Sequence, residues 1–98
     1  MVKHVVLFKL NISDSCRTGL ITRFCDAIKT LPAAIDTIRN IEVSGNINPM
    51  EQYDIALVAT FDTLADVKQY AVHPAHLAAA HLLDGYVVSR ACADYEIG

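Results

Sequence analysis

Residues 53–61 read YDIALVATF, and they have the alternating pattern of a β-strand. One face of this strand would carry large apolar groups, with the residues Tyr53, Ile55, Leu57, Ala59 and Phe61. The other face is also nearly free of charge, with Ala56, Val58 and Thr60. A strand that is apolar on both faces has to be covered on both faces. This segment therefore predicts a sheet with packing partners on both sides.

Three other segments have strand character. Residues 2–10 alternate between two faces, the first with His4, Val6, Phe8 and Leu10 and the second with Lys3, Val5, Leu7 and Lys9. Residues 35–47 are rich in β-branched side chains and end at a loop that contains Asn48 and Pro49. Residues 86–97 form the last alternating segment. The chain is thus expected to contain four strands.

Two helical segments lie between these strands. The first begins at the N-cap residue Ser13, runs to about Leu31 and is expected to end at Pro32. The second is capped by Thr63. Pro74 disfavours helical geometry at the residue before it, so this second helix should break at His73 and restart with Pro74 in its first turn. The restarted helix is expected to stop before Gly85.

The order of these elements is β-α-β-β-α-β, which predicts an α+β, ferredoxin-like fold. Such a fold is a four-stranded antiparallel sheet with the helices on one face. The chain length of 98 residues predicts a single domain over residues 1–98. The uncovered apolar face predicts a homodimer whose sheets face each other. We assign Lys3, Val5 and Leu7 to this interface, together with Leu57.

The composition excludes several classes of protein. The net charge is −3, and no basic stripe favours nucleic acid as a partner. No apolar run is long enough to cross a membrane, and the N-terminus does not resemble a secretory signal, so a cytoplasmic location is predicted. The three cysteines have no C-x-x-C spacing. We expect neither a disulfide framework nor a metal or organic cofactor.

Four segments together resemble the stress-responsive A/B barrel (Dabb) domain family. They are VKHVVLFKL at residues 2–10, the strand at 53–61, YAVHPAH at 70–76 and DYE at 94–96. The resemblance spans nearly the whole chain and implies a dimeric α+β barrel. Most members of the family have no established activity, whereas one plant branch contains polyketide cyclases that use no cofactor.

The resemblance to the cyclases implies a set of site residues. His76 matches their catalytic histidine, Tyr70 its tyrosine partner, and His4 a histidine of the first strand. A further tyrosine of the cyclases corresponds to Phe24, so one hydroxyl is missing from this chain. We assign Phe8, Phe24 and His73 as ligand-binding residues and expect no metal site.

The histidine cluster permits several interpretations. His76 could act as a general base, since histidine exchanges protons near neutral pH. The same pocket could bind a small organic molecule without turnover, or His73 and His76 could only cap backbone groups at the helix break. Metal binding by His73 and His76 is disfavoured by Pro74 and by the lack of a third ligand. Asp94 and Glu96 are interpreted as a solvated strand edge.

Overall fold

The computed structural model, which describes residues 1–98, has a four-stranded antiparallel sheet with helices packed on one face. The elements in chain order are β1 (Val2–Leu10), α1 (Asp14–Lys29), α2 (Leu31–Ala34), β2 (Asn40–Gly45), β3 (Ile55–Phe61), α3 (Leu64–Val72), α4 (Pro74–His81) and β4 (Val87–Glu96). The strand order in the sheet is β2-β3-β1-β4. This is the predicted ferredoxin-like fold.

The hydrophobic core lies between the sheet and the helices. In β1 the residues Val2, His4, Val6 and Leu10 are buried, and the residues between them are only partly buried. Helix α1 contributes Leu20, Phe24, Cys25 and Ile28 from one of its sides. The buried strand residues, which recur every two positions, therefore pack against the buried helix residues, which recur about every four positions. No helix of the chain has both the length and the hydropathy needed to cross a bilayer.

Two predicted boundaries are wrong, for different reasons. Helix α1 ends at Lys29, and Pro32 lies in the first turn of the short helix α2 instead of ending α1. A proline is compatible with a first turn, where its missing N–H would have no helical partner. Strand β2 begins only at Asn40, because Ile35 and Ile38 are buried in the core from the connection that precedes the strand.

Leu57 lies on the helix side of the sheet, so its assignment to the dimer interface is wrong. It pairs with Val6 of β1 and is 3% exposed in the core. Leu7 pairs with Ala56 and is oriented to the opposite face. Successive residues of a strand point to opposite faces, so an offset of one position reverses the assignment.

The sheet face opposite the helices is open and mostly apolar. Val5, Leu7, Ala91 and Ala93 surround a shallow depression on it. None of these four side chains is buried within the single chain. The face thus has the apolar character that the sequence predicts for a surface in need of a partner.

Candidate functional site

A cavity of about 190 Å³ lies between the sheet and the helices. Apolar side chains form most of its wall: Val6, Phe8, Phe24, Ile28, Leu57 and Ala80. Its polar groups belong to His4, Tyr70, His76 and Arg90. Strands β1, β3 and β4 and helices α1, α3 and α4 all contribute. Such a wall, apolar with a few convergent polar groups, is typical of a small-molecule site.

The break between α3 and α4 positions two of these polar groups. His73 has extended backbone geometry, with φ −66° and ψ 136°, and Pro74 begins α4 after it. The His73 Nδ1 accepts a hydrogen bond of 3.0 Å from the N–H of Ala75, which caps the new helix. The change of direction places Tyr70, at the end of α3, against His76, at the start of α4. Their ring centroids are 4.4 Å apart.

His76 has one ring nitrogen fixed by the backbone. Its Nδ1 lies 3.0 Å from the carbonyl oxygen of Ala71. A carbonyl only accepts, so Nδ1 donates, and Nε2 of the neutral ring carries the free lone pair. Burial lowers the pKa of His76, the Ala71 carbonyl opposes the shift, and electrostatic interactions, among them that with the guanidinium of Arg90, lower it further. The imidazole is therefore favoured in its neutral form.

Tyr70 is 1% exposed and lines the cavity. Burial raises the pKa of its phenol to about 12, against the opposing effect of the Arg90 charge. Its ring packs against His4 and Phe61, at centroid distances of 5.9 and 5.2 Å. The hydroxyl makes no hydrogen bond within the chain and is not sealed from solvent. It is therefore a protonated donor that is free to bind an acceptor in the cavity.

His4 is oriented by a hydrogen bond to Asp94 of the neighbouring strand. Strand β4 pairs with β1 so that Asp94 stands opposite His4, and His4 Nδ1 lies 2.6 Å from Asp94 Oδ1. The carboxylate accepts from Nδ1, which leaves Nε2 of the neutral ring as an acceptor. Asp94 is exposed on the edge strand β4, as the sequence predicts, and its carboxylate in addition binds the buried His4. The sequence contains both residues, but their register depends on pairing across ninety positions of chain.

The same region contains three groups that could ligate a metal. Ligand atoms of His4, Cys92 and Asp94 all lie within 4.8 Å of one another. The Cys92 Sγ is 3.6 Å from His4 Nδ1, which is the nitrogen that is hydrogen-bonded to Asp94. Two ligands on a tetrahedral zinc, with bonds of about 2.0–2.2 Å, would be separated by more than about 3 Å. The 2.6 Å contact between His4 and Asp94 is instead the length of a charge-assisted hydrogen bond.

Five of the six predicted site residues line one cavity: His4, Phe8, Phe24, Tyr70 and His76. His73 differs, because its Nδ1 caps α4 and the residue is not part of the cavity wall. Arg90, which enters the wall from β4, was not among the predicted site residues. Arg90 lies two residues before Cys92 and four before Asp94, so strand alternation places all three on one face of β4. The sequence does not give the register of β4 against β1, which brings that face to the cavity.

Solved structures of other proteins share this architecture. A dimeric protein with a ferredoxin-like fold from Bacteroides fragilis is 49% identical, with a TM-score of 0.95 over 98% of this chain and 95% of that one. A hydroxynitrile lyase from Passiflora edulis is 16% identical, with a TM-score of 0.77 over 99% of this chain and 93% of that one. At that identity the second likeness shows the fold alone.

Sequence comparison gives the family. An uncharacterized protein of Streptomyces coelicolor is 32% identical over 97 residues, which are 98% of this chain and 99% of that protein. Fold and cavity define a ferredoxin-like α+β protein with a pocket between its helices and its sheet. The model of the stress responsive A/B barrel domain matches residues 2–97, and the chain belongs to that family.

Proposed function

We propose that this protein binds a small, mostly apolar organic molecule in the cavity beside Tyr70 and His76. The observation that carries the proposal is the wall of the cavity, which is apolar except for a few polar side chains that converge on it. Among these, the Tyr70 hydroxyl makes no hydrogen bond within the chain and is not sealed from solvent, so it is free to donate to a ligand acceptor. The volume of about 190 Å³ is below the range of drug-sized pockets, so the ligand has one ring or a chain of similar size.

Filling the cavity tests this proposal. Ala80 lines the cavity, whereas Ala78 lies exposed on the same helix, so Ala80→Leu and Ala78→Leu form a matched pair. Phenol, benzyl alcohol, benzamide and benzoate serve as probes in thermal unfolding. A probe at 100 times its Kd stabilises the folded state by about 2.7 kcal/mol, which raises Tm by several degrees.

We expect such a shift with at least one probe in the native protein and in Ala78→Leu, and none in Ala80→Leu. Equal shifts in both variants would place binding outside the cavity and contradict the proposal. A protein that none of the probes stabilises would favour the purely structural role of the histidine cluster.

General-base catalysis is the second candidate function, and the free Nε2 of His76 favours it. A ligand with a C–H bond next to a carbonyl could lose that proton to Nε2. The electron pair would move to the carbonyl oxygen, and the neutral Tyr70 phenol would donate a hydrogen bond to the enolate. His4 supports the arrangement from beside Tyr70. This is chemistry of the cofactor-independent, polyketide-cyclase type, with no covalent intermediate.

Exchange of carbon-bound hydrogen measures this step directly. In D₂O, the hydrogens next to the carbonyl group of phenylacetone would exchange for deuterium. Proton NMR would measure the rate of this exchange. His76→Ala should lower the protein-dependent rate by about 10²–10⁴-fold, and Tyr70→Phe, which keeps the ring, by less. His81→Ala, in an exposed position, is the control. Unchanged exchange in His76→Ala would refute the base, and a large fall in its Tm would indicate that His76 mainly holds the helix break.

The protein is also proposed to act as a homodimer in the cytoplasm. The open apolar face that carries Val5 and Leu7, and the dimeric relative from Bacteroides fragilis, support the dimer. The cysteines, which are free thiols, favour a reducing compartment.

A further inference from the structure

We infer that the ligand of this cavity is an organic anion, a small carboxylate with an apolar ring, whose charge is bound by Arg90. The inference rests on the proposed binding function and adds the chemical class of the ligand.

Arg90 is placed at the cavity by strand register. It stands opposite Phe8 in the β1–β4 pairing, and Phe8 lines the cavity from the helix side of the sheet. Because directly opposite residues of an antiparallel pair share a face, the guanidinium group is on that side as well. Phe8 also contacts Phe24 edge to face, at a centroid distance of 5.5 Å. A cation and two aromatic rings thus lie at one end of the cavity.

Arg90 is exposed on the edge strand β4, and its guanidinium forms no ion pair within the chain. Two other arginines are paired: Arg17 with Asp54 at 2.6 Å, and Arg39 with Asp62 at 2.6 Å. No carboxylate lies within ion-pair distance of Arg90, and no aspartate or glutamate lines the cavity. Asp94 is four residues along the same strand, about 13 Å away at the strand rise, and is bound to His4. The cavity wall therefore contains one full charge, and it is positive.

The field of that charge acts inside the cavity. It lowers the pKa of both Tyr70 and His76, so the guanidinium affects the two rings against which a ligand would lie. The net charge of −3 on the whole chain acts at long range and is screened by salt, whereas Arg90 lines the cavity itself, where its exposed side chain can contact a ligand directly. Guanidinium groups bind carboxylates through two parallel hydrogen bonds. A ring packed against Phe8 and Phe24, with its carboxylate at Arg90, fits this geometry.

Benzoate and benzamide test the inference because they have nearly the same shape and differ in charge. Their Kd values would be measured by calorimetry for the native protein, Arg90→Gln and Arg23→Gln. Arg23 is exposed on α1, is not part of the cavity wall and provides the matched control. Loss of a charge-assisted hydrogen bond typically changes affinity roughly tenfold, so we expect a preference for benzoate of about that size in the native protein.

The preference should persist in Arg23→Gln, weaken as salt is added, and disappear in Arg90→Gln while benzamide still binds. Benzamide and benzoate binding equally well to the native protein would overturn the anion inference and leave the pocket function standing. Absence of binding by both would overturn the two together. Arg90 could instead pair with a carboxylate of a second copy. Dissociation of Arg90→Gln dimers in sedimentation, with the benzoate preference retained, would establish that role and overturn the inference.

Discussion

Burial acts on Tyr70 and His76 in opposite directions. It raises the pKa of the phenol and lowers that of the imidazole, because in each case it disfavours the charged form. The two rings, 4.4 Å apart, are consequently both neutral near pH 7. The site then offers one hydrogen-bond donor, the Tyr70 hydroxyl, and one acceptor, the His76 Nε2. This complementary pair is what either binding or general-base chemistry requires.

The lowered pKa of His76 predicts a specific dependence of stability on pH. Below its ordinary pKa of 6.5 the unfolded chain binds a proton that the folded protein resists, so the free energy of unfolding falls as pH decreases through that range. The contribution of His76 is fully present above pH 6.5. His76→Gln keeps a donor for the Ala71 carbonyl but does not titrate.

Urea unfolding between pH 5 and 8 checks this prediction. We expect the difference in unfolding free energy between the native protein and His76→Gln to change below pH 6.5 and to be constant above it. The other three histidines are unchanged between the two proteins, so the comparison isolates His76. A difference that does not vary with pH would contradict the lowered pKa.

At the scale of elements, the break between α3 and α4 builds the site from local interactions. Pro74 removes an N–H, and His73 supplies the cap that begins α4. The break needs no strain, since an extended residue before proline is the favoured conformation. Thr63 performs the same task for α3, where its hydroxyl accepts from the N–H of Asp66 at 3.2 Å. Two capped helices in sequence thus direct Tyr70 and His76 to one cavity.

Loss of the His73 cap should destabilise the protein. His73→Ala removes the acceptor for the Ala75 N–H and is expected to cost about 1 kcal/mol. For a domain of this size that lowers Tm by about 4–8 °C. His73→Asn, which restores a good N-cap, should recover most of the loss in thermal unfolding followed by circular dichroism. If alanine and asparagine behave alike, the cap contributes nothing measurable.

At the scale of the whole molecule, the sheet has two apolar faces with different partners. The helices cover the face of Val6 and Leu57, which are both in the core. The face of Val5 and Leu7 is open in the single chain. A charge introduced into either face would be left unpaired. On the face of Val6 and Leu57 it would disrupt packing against the helices, and on the face of Val5 and Leu7 it would disrupt the predicted dimer.

Two glutamate substitutions distinguish the faces. Leu7→Glu should dissociate the dimer and leave a folded monomer, whereas Leu57→Glu should unfold the chain, because 3% exposure leaves the new carboxylate no access to water. Leu77→Glu, exposed on α4, is the control and should change neither property. Sedimentation and circular dichroism measure the two outcomes. A native protein that sediments as a monomer at micromolar concentration would contradict the predicted dimer.

The sequence by itself determined the elements and their order. Strand alternation, the Thr63 cap and the break at His73 and Pro74 depend on neighbours within a few residues, and each is present in the structure. The family resemblance also brought His4, Tyr70 and His76 into one proposed site. Local signals were weaker at two boundaries. Pro32, expected to end α1, lies in the first turn of α2, and Ile35, expected to begin β2, is buried in the connection before that strand.

Only the tertiary structure decided which faces and which distant residues meet. The burial of Leu57 on the helix side, the pairing of Asp94 with His4 and the entry of Arg90 into the cavity all depend on strand register. Register is fixed by long-range pairing and by the packing of the core, and a shift of one residue would move every side chain to the other face. Both faces of β1 and β3 are largely apolar, so the sequence pattern of these two strands does not show which face the helices cover.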